Sequence, residues 1–201
     1  MKPKAVFLDR DGTLIVDQKF AFDPHRIQLT PDSPAALRRL QEAGYRLIVV
    51  TNQSGVARGY FDEEAVRTMH RHVGEALRAQ GVEVEAFYYC PHHPEGQVRE
   101  YAVECECRKP RPGLILRAGR ELGLDLGASW LVGDILDDVI AGQRAGCRTV
   151  LLVDGAGAEK AGGNNMVQPE ATQPTVKAHD LLAAAGLILS REERETDGER
   201  G

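Results

Sequence analysis

The chain has 201 residues, 42% of them hydrophobic and 27% charged, with a formal net charge of −5. That is enough apolar material for one globular domain with its own core, and the acidic balance argues against a nucleic-acid partner, because phosphate backbones reward a basic face. No apolar run is long enough to cross a bilayer, and the opening MKPKAVFLDRDG reaches Asp9 too soon for a secretory signal. A cytoplasmic protein is therefore expected, in which the four cysteines are thiols or metal ligands rather than disulfides.

Residues 4–9 (KAVFLD) read as a buried strand that ends at a charge and is followed by Gly12. A helix is expected over 33–43, with Ser33 as its cap, Pro34 in its first turn and Gly44 as its stop. The β-branched run 45–51 is a second strand. Asp62 opens the next helix, where Val66, Met69, Val73 and Leu77 share one face and Gly81 ends the run. His70 and His72 on that helix are expected on its solvated side. Residues 84–89 form a third strand, and 90–112 an irregular loop. Pro112 and Gly113 open a helix ending near Gly123, 129–134 is a fourth strand containing a core Trp130, and a helix follows over 137–145 with Gly146 as its stop. Residues 147–153 are a fifth strand in which Cys147 is a buried small hydrophobe. The Gly- and Asn-rich stretch 155–173 reads as a surface loop, 174–189 as a further strand and helix, and 191–201 as a disordered tail. Strands and helices alternate throughout. The fold class is α/β, a doubly wound, mostly parallel sheet with helices on both faces.

In such a sheet, ligands bind beyond the carboxyl ends of the strands. There the sequence places Asp9, Asp11, Gly12 and Thr13 after the first strand, and Thr51, Asn52, Gln53, Ser54 and Gly55 after the second. Arg108 and Lys109 precede the third helix, and Asp134, Asp137 and Asp138 follow the fourth strand. Carboxylates from two strands, Asp9 and Asp134, suit a magnesium ion that keeps waters for a phosphate. Asp9 can attack phosphorus. Asp11, two residues on, can protonate the leaving oxygen and later take a proton from water. Thr51, Asn52 and Lys109 can bind the equatorial oxygens of the phosphoryl group. Asp138 is expected to support Asp134, and Asp137 to favour the start of its helix.

Cys90, His92, Cys105 and Cys107 form two short pairs within 18 residues, a tetrahedral zinc set with no open position. His93 is the alternative histidine ligand. Such a zinc would be structural, ordering a loop that leads straight into Arg108 and Lys109.

FLDRDGTLI (7–15), VVTNQSGVARG (49–59), YYCPHHPEG (88–96), CECRKPRPG (105–113) and LVGDILDDVIAG (131–142) resemble, in this order, the haloacid dehalogenase superfamily of phosphatases. Within it they are similar to the zinc-loop branch, which acts on heptose bisphosphates and histidinol phosphate. The resemblance covers residues 4–153. It implies a Rossmannoid fold with a minimal cap, one phosphatase domain over 1–190 and a zinc loop over about 90–108. It also implies hydrolysis of the 7-phosphate of D-glycero-D-manno-heptose 1,7-bisphosphate through an aspartyl-phosphate, feeding lipopolysaccharide core or surface-glycan synthesis. By this resemblance Asp9 is the nucleophile and Asp11 the acid/base. Asp9, the Asp11 carbonyl and Asp134 hold magnesium, and Thr51 and Lys109 stabilise the transition state. Arg108, Gln53 and Ser54 recognise the rest of the substrate, with a loose match at 17–20, and Cys90, His92, Cys105 and Cys107 hold zinc. A small-molecule phosphorylated sugar as partner, and a monomer, follow from the same likeness. One departure stands out. Many relatives carry a basic residue directly after the fourth-motif aspartate, where this chain has Ile135. Histidinol-phosphate phosphatase is the nearest rival, followed by a zinc-stabilised nucleic-acid module or end-processing phosphatase, and by a catalytically silent regulator on the same fold.

Overall fold

The computed structural model describes residues 2–17, 27–153 and 173–198. β1 (Ala5–Leu8) has four consecutive buried residues, as a strand covered on both faces must. It lies between β2 (Arg46–Asn52) and β4 (Trp130–Gly133), parallel to both. β3 (Ala86–Cys90) extends the sheet beyond β2, while β5 (Arg148–Leu152) and β6 (Val176–Ala178) extend it beyond β4. The order is β3-β2-β1-β4-β5-β6. Parallel neighbours require crossovers, supplied here by α1 (Ser33–Glu42), α2 (Glu63–Arg78), α3 (Gly113–Glu121) and α4 (Leu136–Arg144), with α5 (Leu181–Gly198) following β6.

Alternation along the strands divides the core between two faces. Val6, Leu8, Leu47, Val49, Trp130 and Val132 pack with Leu37 and Leu40 of α1, Met69, Val73 and Leu77 of α2, and Leu181, Ala185 and Ile188 of α5. Ala5, Phe7, Ile48, Val50 and Leu131 pack on the other face with Leu114, Ile115 and Ala118 of α3 and Ala141 of α4. Cys147 and Trp130 are buried, as expected. The chain runs outward from β1 to β3, then returns to lay β4 on the other side of β1. The carboxyl ends of β1 and β4 therefore flank the point where the winding reverses, the place at which open α/β sheets bind ligands.

Several local expectations change. Asp32, not Ser33, occupies the cap position of α1, with φ 60° and no side-chain cap bond. Ser33 is the first helical residue. It is fully buried, and its Oγ has no hydrogen-bond partner among the described residues. The chain enters α1 through a left-handed aspartate, a conformation that Asp tolerates better than most residues. Asp62 does cap α2, accepting from Ala65 N–H at 2.8 Å. α5 runs to Gly198, so the expected disordered tail from 191 is helical over most of its length. The expected loop 155–173 lies almost wholly outside the described residues.

His70 is the main reversal. Rather than facing solvent it is buried, stacked on Phe87 at 4.9 Å and edge-on to Tyr89 at 5.5 Å between ring centroids. Both partners come from β3, and the signal for burial was already in the spacing, since His70 stands four residues after Val66 and three before Val73 on the buried face of α2. Burial, and then the nearby Arg10 charge, lower its pKa from 6.5 to about 3. The folded chain thus keeps His70 neutral where the unfolded chain protonates it, so stability is lost as pH falls below about 6.5, at up to about 1.4 kcal/mol per pH unit. His70→Phe removes this slope. Between pH 7 and 5 its urea-unfolding free energy should gain about 2 kcal/mol relative to the parent protein; a difference independent of pH contradicts the burial argument.

Candidate active site

The site is built around one ammonium group. Lys109 Nζ lies 2.6 Å from Asp9 Oδ1 and 2.6 Å from Asp138 Oδ1, and donates to the Val50 carbonyl at 2.9 Å. Asp9 follows β1, Val50 belongs to β2 and Asp138 opens α4, so one side chain ties three segments together. Lys109 is only 2% exposed. Burial pulls its pKa down, but the charges of Asp138 and Asp9 overcome this and hold it above the ordinary lysine value. Asp9 behaves oppositely. Burial raises it to about 7 against the Lys109 charge, with Asp138, Asp11 and Asp134 adding to the rise. The two directions are compatible because the ammonium is shared.

Oxygen atoms of Asp9, Asp134 and Asp138 lie within 4.8 Å of one another, and all three residues are buried. One lysine cannot neutralise three carboxylates, and the remaining negative charge is the physical case for a divalent cation. Asp138, expected behind Asp134, stands beside it as a third oxygen donor. Gly133 makes this possible, because a Cβ there would fall 2.2 Å from Asp138 Oδ2. Asp137 is also more than a helix-start residue. It is buried, and burial together with Asp138 raises its pKa to about 6, opposed by Arg108 and Lys109.

The amides after β2 do other work than expected. Asn52 Oδ1 accepts from Lys109 N–H, and its Nδ2 donates to the Lys109 carbonyl, each at 3.0 Å. The side chain thus clamps the lysine backbone through Oδ1 and one Nδ2 hydrogen, and the second Nδ2 hydrogen stays available for the expected phosphoryl contact. Gln53 is likewise engaged. Its Nε2 donates to Asp11 Oδ2 at 2.8 Å and to Thr51 Oγ1 at 2.9 Å, while its Oε1 accepts from Arg10 at 2.8 Å. Ser54 is half-buried and accepts from Arg58 N–H through its carbonyl. Thr51 is buried at the end of β2. Asp11 stands apart from the carboxylate cluster, its side chain held by Arg10 and Gln53.

Arg10 and Arg58 were not picked out from the sequence. Arg10 sits inside the Asp9–Asp11 motif, and its burial between two polar neighbours was the missing signal. Arg58 places Nη2 3.1 Å from His93 Nε2. Arg108 is half-buried, its Nη1 3.4 Å from the His92 carbonyl. Burial lowers its pKa, opposed by the charges of Cys90 and Asp137. Of the loosely matched 17–20, residues 18–20 lie outside the described residues.

Cys90, His92, Cys105 and Cys107 converge as expected, their ligand atoms within 4.8 Å of one another. Cys107 Sγ lies 3.1 Å from Cys90 Sγ, 3.2 Å from Cys105 Sγ and 3.3 Å from His92 Nδ1. The contact with Cys90 lowers Cys107 to about 5, and the same contact pushes Cys90 up. Three thiols and an imidazole nitrogen with one thiol already poised to ionise fit a four-coordinate zinc ion. His93 is turned away, with Nδ1 accepting from Glu95 N–H at 3.1 Å. The loop closes onto α3 through Gly113 N–H to the Glu106 carbonyl at 3.0 Å, and a Cβ on Gly113 would meet that oxygen at 2.3 Å.

A family profile described as polynucleotide kinase 3 phosphatase matches residues 4–144, and one described as HAD-hydrolase-like matches 106–184. Over 150 residues the chain is 44% identical to a D-glycero-beta-D-manno-heptose-1,7-bisphosphate 7-phosphatase of Pasteurella multocida, covering 75% of this chain and 81% of that protein. The chain belongs to the haloacid dehalogenase superfamily of phosphatases. Among solved structures, the D,D-heptose 1,7-bisphosphate phosphatase of B. bronchiseptica, complexed with magnesium and phosphate, aligns with TM-score 0.76 and 35% identity over 94% of this chain and 99% of that one. A HAD-like phosphatase of Mesorhizobium loti aligns with TM-score 0.77 and 38% identity, over 93% and 88%.

Cys107→Ser removes the sulfur that lies nearest the other three ligand atoms, 3.1 to 3.3 Å away. Elemental analysis should find zinc lost from the purified variant and limited proteolysis should cut within 90–108; zinc content equal to the parent's contradicts this ligand set.

Proposed function

We propose that this phosphatase hydrolyses the 7-phosphate of D-glycero-D-manno-heptose 1,7-bisphosphate, with magnesium, through an aspartyl-phosphate on Asp9. The observation that carries the chemistry is the meeting of Asp9, Asp134 and Asp138 around Lys109 at the reversal of the sheet. The substrate rests on the names of the relatives, which favour the beta anomer, and on the half-buried guanidinium of Arg108, suited to a second anionic group. The catalytic unit is taken as residues 1–190, a cytoplasmic monomer; among the described residues no helix is long and apolar enough to cross a membrane.

Asp9 attacks phosphorus while the bond to the sugar oxygen breaks, and that oxygen takes a proton from the Asp11 carboxyl. Lys109 and the Thr51 hydroxyl neutralise charge on the phosphoryl oxygens. Water then attacks phosphorus and gives its proton to the Asp11 carboxylate as the bond to Asp9 breaks. Magnesium, held by Asp9, Asp134 and the Asp11 carbonyl with Asp138 beside them, would offset the negative charge of carboxylates and phosphate. Zinc on Cys90, His92, Cys105 and Cys107 would be structural and would hold the loop that delivers Arg108 and Lys109.

Ile135 sits half-buried at the cap of α4, its N–H directed to Asp138 Oδ2 at 3.3 Å. It supplies no cation, so recognition of the second phosphate falls to Arg108. The polynucleotide phosphatase profile favours one other reading, an end phosphatase acting on DNA. A side-by-side assay of phosphate release with magnesium separates these readings, using both anomers of the heptose bisphosphate, histidinol phosphate and a 3′-phosphorylated oligonucleotide. The beta heptose bisphosphate should have kcat/KM at least about a hundredfold above the others, the equivalent of about 2.7 kcal/mol in transition-state binding. A preference for histidinol phosphate or the oligonucleotide keeps the chemistry and overturns the substrate.

A further inference from the structure

Arg10 is 3% exposed, and of its three guanidinium nitrogens Nε and Nη2 are paired while Nη1 has no hydrogen-bond partner among the described residues. A buried guanidinium is costly unless well paired, and its partners here are specific. Nε and Nη2 reach Asp11 Oδ1 at 3.2 and 3.1 Å, and Nη2 also reaches Asp11 Oδ2 at 2.9 Å and Gln53 Oε1 at 2.8 Å. A planar fork of this kind constrains both the direction and the position of a carboxylate, which a single ammonium cannot do.

Gln53 extends the constraint. Arginine only donates, so the Gln53 oxygen must face Arg10 and the amide nitrogen must face Asp11 and Thr51. A flipped amide would set NH₂ against the guanidinium and oxygen against the carboxylate. Both Nε2 hydrogens are then used, one on Asp11 Oδ2 and one on Thr51 Oγ1. Asp11 is therefore gripped on one side by two neighbouring side chains, while about a third of it stays open to solvent.

We propose that Arg10 is a positioning residue: its fork, backed by the Gln53 amide, holds the Asp11 carboxyl where it hands a proton to the leaving oxygen and takes one from the attacking water. The proposal rests on the aspartyl-phosphate reading above. Arg10 acts through Asp11, which it meets directly and through Gln53.

The test separates the two half-reactions. p-Nitrophenolate is a good enough leaving group to depart from phosphorus without a proton, so attack by Asp9 on p-nitrophenyl phosphate needs no acid. Hydrolysis of the aspartyl-phosphate still needs Asp11 as base. Two variants are compared: Arg10→Lys, which keeps the charge and loses the fork, and Arg10→Gln, which keeps a donor and loses the charge. With enzyme in excess, nitrophenolate release should stay within about threefold of the parent rate while phosphate release slows about a hundredfold, the usual scale of a general acid or base. Labelled phosphate should then accumulate on the protein. Arg10→Lys is expected to fold with an unchanged melting temperature, so the outcome does not depend on Arg10→Gln being stable. Equal loss in both steps makes Arg10 merely structural, and no loss in either makes it dispensable; each overturns the proposal. Phosphate that forms directly from solvent water in the parent protein, with no label on Asp9, overturns the aspartyl-phosphate reading as well.

Discussion

One ammonium shared by two buried carboxylates organises this molecule. Lys109 arrives from a long irregular loop, yet its Nζ must sit between Asp9 at the end of β1 and Asp138 at the start of α4. Each of those carboxylates would be costly to bury alone. With Asp134 they gather three buried carboxylates within reach of one another, a donor set that suits a divalent cation.

Much of the surrounding structure serves to keep that lysine in place. Asn52 clamps its backbone on both sides. The Cys90–His92–Cys105–Cys107 cluster gathers the loop just before it, and Gly113 admits the close approach of Glu106 just after it. Tyr89 and Tyr101 both donate to the Glu63 carboxylate at 2.9 and 3.1 Å, fastening the loop and β3 to the start of α2. A lysine on an unanchored loop would sample many rotamers, and the entropy of ordering it would fall on substrate binding.

The fold was legible because strands buried on both faces are continuous apolar runs, and because Gly44, Gly81, Gly123 and Gly146 all take the positive φ that ends a helix. The site was legible because each group at a strand end has a fixed address in a parallel sheet. Most of what failed depended on a partner distant in sequence. The burial of His70 was readable from its spacing on α2, though the rings it meets, Phe87 and Tyr89, come from β3. For Asn52 and Gln53 the sequence could not show the partners the structure adds, the Lys109 backbone for one and Arg10, Asp11 and Thr51 for the other. Ser33 lost its cap role to a left-handed Asp32, a backbone choice that a Ser-Pro pair does not announce.

The most direct test is to quench the enzyme with acid during turnover and map the phosphate by mass spectrometry of its peptides. The account predicts one phosphoryl group on the peptide carrying Asp9, absent without magnesium and absent from Asp9→Asn. Phosphate found on another side chain, or a turning-over Asp9→Asn enzyme, would contradict it.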